Sequence, residues 1–394
     1  MKIYKKAILP LGFQANGLAC GIKKSGKLDL GLFFSDIPAK ASCRFTTNII
    51  QAAPIKLNKR HLKQNKIFQA IVVNSGNANC FTGKQGLRDA EETTKSLARN
   101  SKIKKESILI ASTGIIGKRL PLIKIKRALP ALFRGLSKQG IDKAKSAIMT
   151  TDTFAKEITV KFTIGKRRVT ICGIAKGAGM IAPNLATMLG FIFTDANITQ
   201  KALDKALGLS VEDSFNSITV DGCMSTNDSV MVLANAATKN DLIDTGRPFQ
   251  AFVQALKLVC LELAKMIIQD AEGASKFIQI KVDGAKNNLE AKKVALSIAS
   301  SNLFKTAMYG RNPNFGRIVA GIGASGINVK EDNLKIKVSP LHKKNINVSV
   351  NIGQGKGCTT VYTSDLTPEY IKINAELNSQ TSYGLQLTSL INVS

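Results

Sequence analysis

The stretch GAGMIAPNLATMLGFIFTDA, Gly177–Ala196, sets a constrained turn directly against an apolar run. Gly177, Gly179 and Pro183 announce an unusual backbone path, whereas Met188–Phe193 reads as a fully buried strand. Thr187 stands at the seam. Its hydroxyl either caps the strand by bonding locally to backbone or acts as a nucleophile.

Strand-like runs occur at Leu28–Phe34, Gln69–Asn74, Glu157–Ile164, Arg167–Ile174 and Met188–Thr194. Others follow at Ser217–Asp221, Ser229–Ala234, Lys276–Val282, Leu334–Val338, Asn345–Ile352, Thr359–Tyr362 and Tyr370–Ile373. Helical patterns lie between them. Leu87–Arg99 carries its acids early, as a helix dipole prefers, and Phe252, Leu256, Val259, Leu263 and Ile267 trace one apolar helix face. Strands and helices cluster instead of alternating strictly, which predicts an α+β fold with sheets packed face to face and helices outside. Lys239–Pro248, rich in charge and ending in Gly246-Arg247-Pro248, is expected to be a flexible stretch.

The chain has 394 residues, 44% of them apolar, enough for a large core. Its formal net charge is +29, from 56 Lys and Arg against 27 Asp and Glu. That balance raises nucleic acid as a partner, but the lysines are scattered and lack a basic tail or aromatic interleaving, so a solvated basic surface is the better reading. The seven cysteines form no CxxC pair and read as reduced thiols of a cytoplasmic protein. Pro10 and Gly12 break the N-terminal apolar run, against a signal peptide, and no uncharged apolar window is long enough for a membrane span.

Only two histidines occur, His61 and His342, both among lysines and read as lying in surface loops. Histidine-based triads and zinc sites are thereby set aside, and no metal is expected. Two glycine patterns mislead. GIKKSGKL, Gly21–Leu28, resembles a phosphate loop, yet Leu28 occupies the position that must supply a hydroxyl to magnesium. GIGASG, Gly321–Gly326, lacks a following helix and reads as a turn.

A threonine hydroxyl needs a base. Without histidine, one solution is scission before Thr187, which gives that residue its own α-amine. Such an amine titrates near ~7.7–8.0, against ~10.4 for lysine, so a substantial share of it is neutral near physiological pH. The Ala186–Thr187 bond would break by attack of the hydroxyl on the Ala186 carbonyl, leaving chains of residues 1–186 and 187–394. Acyl chemistry at Thr187 would also need oxyanion donors. Ser112-Thr113-Gly114, after the strand-like ILIA, could provide them or could be an ordinary turn.

These residues resemble the ornithine acetyltransferases, or bifunctional glutamate N-acetyltransferases, of cyclic arginine biosynthesis. The likeness runs through GFQANGLACGIKKSGKLDLGLFFSD, FTTNIIQAAP, VVNSGNANCFTG, IASTGIIGKRLP, IMTTDTFAK, KGAGMIAPNLATML, ITVDGCMSTNDS, DAEGASKF, NPNFGR and DLTPEYIKINAE, in this order. It implies a self-processing α/β/β/α sandwich (the DmpA-like type), cleavage at Ala186–Thr187 and an α2β2 heterotetramer of the resulting chains. It implies a ping-pong reaction in which Thr187 takes acetyl from N-acetylornithine and passes it to glutamate. Thr113 and Gly114 would be the oxyanion donors, and Thr150, Lys176, Thr187, Glu272, Asn374 and Ser379 the substrate contacts. No cofactor is implied, and acetyl-CoA stands open as a second acetyl donor. Lys176 suits an α-carboxylate and Glu272 an amino group; without the resemblance each would read as half of a surface ion pair. The sequence departs from the family at Asn312, Phe315 and Cys223, and continues for a tail beyond Ser379. A self-processing aminopeptidase of related fold is the alternative enzyme, and a basic nucleic-acid-binding protein the non-enzymatic one.

Overall fold

The computed structural model describes residues 1–182 and 188–375. Ala186, Thr187 and Ser379 lie outside the described residues. In chain order the first part comprises β1 (Lys2–Tyr4), β2 (Phe13–Leu18), β3 (Leu30–Phe45), α1 (Ala53–Gln64), β4 (Phe68–Asn77), α2 (Gly83–Ser101), β5 (Ile108–Ile115), α3 (Leu122–Arg134) and α4 (Ile141–Ala147). Next come β6 (Lys156–Ile164), β7 (Arg167–Lys176), β8 (Leu189–Thr194), α5 (Gln200–Glu212), β9 (Ile218–Thr219), β10 (Ser229–Ala234) and α6 (Gly246–Gln269). The last part holds β11 (Phe277–Ala285), α7 (Asn288–Ala299), α8 (Asn302–Tyr309), α9 (Gly316–Gly323), β12 (Lys335–Val338), β13 (Asn345–Asn351), β14 (Gly357–Ser364) and α10 (Pro368–Ala375).

All six residues of β8 are buried, and the reason is visible on its two faces. Phe191 and Phe193 point into a layer with Phe13, Phe33, Ile71 and Leu109, from β2, β3, β4 and β5. Ile192 points the other way, to α5 and α6 through Leu203, Val259 and Leu263. Phe33 lies 5.4 Å from Phe191 and 5.1 Å from Phe193, ring centre to ring centre, so the inter-sheet layer is aromatic at its middle. The outer face of β3–β5 is covered by α1, α2 and α3 through Leu57, Leu97 and Leu129. The succession helices, sheet, sheet, helices is therefore an α/β/β/α sandwich.

Both sheets of the sandwich share one strand. The first half of β3 pairs with β2 and β4, and its second half, Lys40–Phe45, pairs with β10. The register breaks between Phe34 and Ala39, a stretch containing Pro38, which has no N–H for a ladder. The strand thus bends out of one layer into the other, and the whole forms one nine-stranded path, β1-β6-β7-β8-β10-β3-β4-β5 with β2 on β3. A separate five-stranded sheet, β12-β13-β11-β14-β9, carries α7–α9 and joins the sandwich through β9.

The structure corrects four local expectations. Tyr370–Ile373 lies in helix α10, not a strand: Pro368 suits the first helical turn, and the Thr367 hydroxyl accepts the Tyr370 N–H at 3.2 Å, a capping geometry that outweighs the isoleucines. His61 is buried on α1, with Nδ1 2.9 Å from the Ile108 carbonyl, not in a surface loop. The stretch after residue 239 is pinned, since Ile243 is fully buried and hydrogen-bonded to Asn197. Gly321 and Gly323 of GIGASG belong to α9, and the turn follows them.

Candidate active site

A cleft of about 600 Å³ opens where β4, β5 and β7 end. Its walls include Thr113, Gly114, Thr150, Lys176, Glu272 and Asn374, so six residues singled out from sequence, spread over 262 positions of numbering from 113 to 374, meet at one place. Ile22, Lys23, Lys24 and Lys27 line it too. The Gly21–Leu28 loop was set aside as a phosphate-loop decoy; it borders the cleft nonetheless.

Thr113 and Gly114 lie within β5, paired with Ser75 and Gly76 of β4. Gly114 has φ +127°, and a Cβ there would strike the Gly76 backbone. Only glycine lets the two strand ends approach this closely. The turn is braced from below: Ser112 donates to Asn74 at 2.6 Å, and Asn227 donates to the carbonyls of Ser112 and Ala78 at 2.8 and 2.6 Å. A braced backbone at a strand end is what an oxyanion site requires, because its donors must not reorganise during reaction.

The wall of the cleft around Thr150 and Lys176 is organised by Asp152, a residue sequence reading passed over inside IMTTDTFAK. Its oxygens accept the Thr150 N–H at 2.9 Å, the Gly177 N–H at 2.7 Å and the Lys156 ammonium at 2.6 Å. Asp270 also binds Lys156. Lys156 is completely buried, and two carboxylates answer its charge. Burial alone would raise the Asp152 carboxyl, but Lys176, Lys156 and the Thr150 N–H overcome it and hold it well below the usual carboxylate range. Lys176 is 3% exposed, its ammonium 4.0 Å from Asp152, and burial pulls its pKa down. A carboxylate entering the cleft would restore what Lys176 lacks. Burial likewise lowers Lys23 to about 8.

Opposite, Glu272 lies against Gly179, where any Cβ would collide with its carboxylate. Asn374 of α10 donates to Glu272 at 3.0 Å. Asp221 anchors the approach to the Pro183–Thr187 stretch, accepting the N–H groups of Met180 at 2.6 Å and Ile181 at 2.9 Å and the Tyr370 hydroxyl at 3.2 Å. Beyond that stretch, the Met188 N–H donates to Asp228 at 2.9 Å. Asp228 is fully buried; burial raises its pKa well above the ordinary value, and Met188, Lys176 and Ser225 only partly offset this. Asp152, Lys156, Asp221 and Asp228 all stood in quoted motifs. Their one signal in sequence was charge set among residues that otherwise read as buried.

Of the departures, Cys223 is exposed with its N–H on Asp221 at 3.1 Å, and Phe315 is exposed at the N-cap of α9. Among the described residues no group of three or more His, Cys, Asp or Glu converges as a metal cluster, and no helix is long and apolar enough to cross a membrane.

A profile of the ArgJ family matches residues 14–379 of the chain. The chain belongs to the ArgJ family. Among its relatives, the arginine biosynthesis bifunctional protein ArgJ of Oceanobacillus iheyensis is 42% identical over 389 residues, covering 93% of this chain and 94% of the relative. The ArgJ protein of Geobacter sulfurreducens is 42% identical over 387 residues, covering 93% and 98%. Among solved structures, an ornithine acetyltransferase from Mycobacterium tuberculosis, complexed with ornithine, shares 34% identity at a TM-score of 0.43, covering 47% of this chain and 99% of that one.

Proposed function

We propose that this ArgJ-family acyltransferase moves an acetyl group from N-acetylornithine to glutamate through an acetyl ester on Thr187, after cutting itself between Ala186 and Thr187. The observation that supports the reading is the meeting of Thr113, Gly114, Thr150, Lys176, Glu272 and Asn374 in one cleft. This set combines a rigid strand-end turn with one buried cation and one carboxylate, the complement of an amino acid's two charges.

The steps follow from those charges. Lys176 pairs with the donor's α-carboxylate and Glu272 with its side-chain ammonium. The Thr187 oxygen attacks the acetyl carbonyl while its proton passes to the Thr187 α-amine, and the carbonyl oxygen takes negative charge against Thr113 and Gly114. Collapse expels the ornithine α-nitrogen, which takes the proton from the ammonium and leaves as the amine. Glutamate's amine then attacks the ester in the reverse sequence. Thr150 and Ser379 complete the substrate contacts in this scheme.

In the same reading, residues 1–186 and 187–394 are α and β chains of a cytoplasmic α2β2 heterotetramer, no cofactor takes part, and acetyl-CoA is a second donor in keeping with the bifunctional naming of the relatives. The test is release of ornithine from N-acetylornithine by purified protein. Release beyond one equivalent per enzyme only when glutamate is added supports transfer, whereas equal multiple-turnover release without glutamate would make the protein a hydrolase of the aminopeptidase kind.

A further inference from the structure

The steps above leave Lys23 of the cleft wall without a task, yet several contacts fix its place. Asp29 is fully buried and accepts the N–H groups of Cys20 and Ile22 at 2.6 Å and of Lys23 at 2.9 Å. The Gly21–Leu28 loop thus folds around one carboxylate. The Lys23 stem runs against Gly76, where a Cβ would lie 3.2 Å from the lysine Cγ, and Gly76 pairs with Gly114 of the strand-end turn. The ammonium donates to the carbonyls of Leu28 at 2.8 Å and Met149 at 2.7 Å, the second directly before Thr150. An ammonium has a further donor beyond these two. The neighbouring carboxylates are engaged elsewhere, Asp29 by backbone N–H groups and Asp152 by Lys156 and Lys176. Burial is the main cause that brings the Lys23 pKa down to about 8; Lys27 and Lys176 add to it, while Asp29 and Asp152 oppose it. Half-buried beside a second cation, Lys23 is a place for an anion.

Resting on the acetyl-transfer reading above, we propose that Lys23 is the residue that selects glutamate as acceptor: its ammonium takes the side-chain carboxylate while Lys176 holds the α-carboxylate. One cleft has to receive two amino acids whose side chains end in opposite charges. The donor ends in an ammonium, which suits Glu272. The acceptor ends in a carboxylate, which Glu272 repels. Two carboxylates call for two cations, and the acceptor's side chain has to turn away from Glu272 to find the second. The charges sort accordingly. Glu272 bears on Lys176, whereas the groups that bear most on Lys23 are Asp29, Lys27, Asp152 and Lys176. Lys24, Lys27 and Lys118 also line the cleft, but they are exposed, where water weakens an ion pair.

The variant Lys23→Met keeps most of the stem on Gly76 and removes the charge. In a ping-pong reaction kcat/KM for the donor reports only the first half-reaction, and kcat/KM for the acceptor only the second. We expect kcat/KM for glutamate to fall about tenfold or more and that for N-acetylornithine to stay within about threefold. The preference for glutamate over glutamine, whose side-chain amide is uncharged, should fall about tenfold as well, because the variant no longer reads that charge. A structural role would lower both half-reactions together and leave the preference as it was; that result overturns the proposal, as does a glutamate kcat/KM within about twofold of the parent. If the variant does not fold, the parent decides. Glutarate, with two carboxylates, should inhibit against glutamate about tenfold more strongly than its monoamide, and equal inhibition by the two overturns the proposal. A parent that moves no acetyl group to glutamate would overturn the transfer reading itself and take this inference with it, a failure visible before any variant is made.

Discussion

Replacing Asp152 by Asn would leave only one of the Thr150 and Gly177 N–H groups an acceptor, since they bond to different carboxylate oxygens, and would remove the charge that answers Lys156 and Lys176. Lys156 would then keep only Asp270 and Lys176 would lose its nearest carboxylate, and breaking such a buried pair costs about 3–5 kcal/mol. Denaturant unfolding of Asp152→Asn should show a loss of that order. The pH dependence follows. Because the folded-state pKa of Asp152 is depressed, its contribution is present above the unfolded value near ~3.9 and is lost as pH falls through the folded one. Asp228 has the opposite sign: its raised pKa favours folding below ~3.9, and that advantage fades as pH climbs through the folded value. At neutral pH Asp228→Asn should therefore be no less stable than the parent, while Asp152→Asn should be much less so. Gly179→Ala is a third test at this scale. Its new methyl would meet the Glu272 carboxylate and push it from its place beside Asn374, so KM for the amino-acid substrate should rise about tenfold, with little change in unfolding temperature. The cleft's outer residues were legible because they fall in long quoted motifs. The buried acids were not, since nothing in a linear string tells which carboxylate will lose its water.

Among the elements, β8 was the most readable: a six-residue run with no polar face has to meet a layer on both sides, and it does. Phe33 makes the case quantitative. It is fully buried in β3 between the rings of Phe191 and Phe193, so Phe33→Ala should cost about 3–5 kcal/mol, measured by chemical denaturation. The bend of β3 around Pro38 was not readable, because a strand that changes sheets looks locally like one strand that ends early. Helix α10 was misread for a related reason. Its Tyr370–Ile373 segment has strand-like residues, but the decisive information sat upstream in Thr367 and Pro368, whose capping geometry sets the backbone. Tertiary contacts then fix where it lies, with Tyr370 on Asp221 and Asn374 on Glu272. His61 failed as a surface residue because its neighbouring lysines face outward on α1 while its own ring turns inward to Ile108.

At the scale of the whole molecule, the account joins two sheets, one shared strand and a cleft at their common end to a single covalent event. Net charge of +29 has no part in that argument beyond favouring anionic substrates near the surface; the specific work is assigned to Lys176, Glu272 and the Thr113–Gly114 turn. The most direct measurement is intact-mass spectrometry of purified protein before and after incubation with N-acetylornithine in the absence of glutamate. The account predicts two polypeptides, residues 1–186 and 187–394, with one acetyl group gained by the second and lost again when glutamate is added. A single uncut chain that nevertheless transfers acetyl at full rate, or an acetyl group located anywhere other than Thr187, would contradict it.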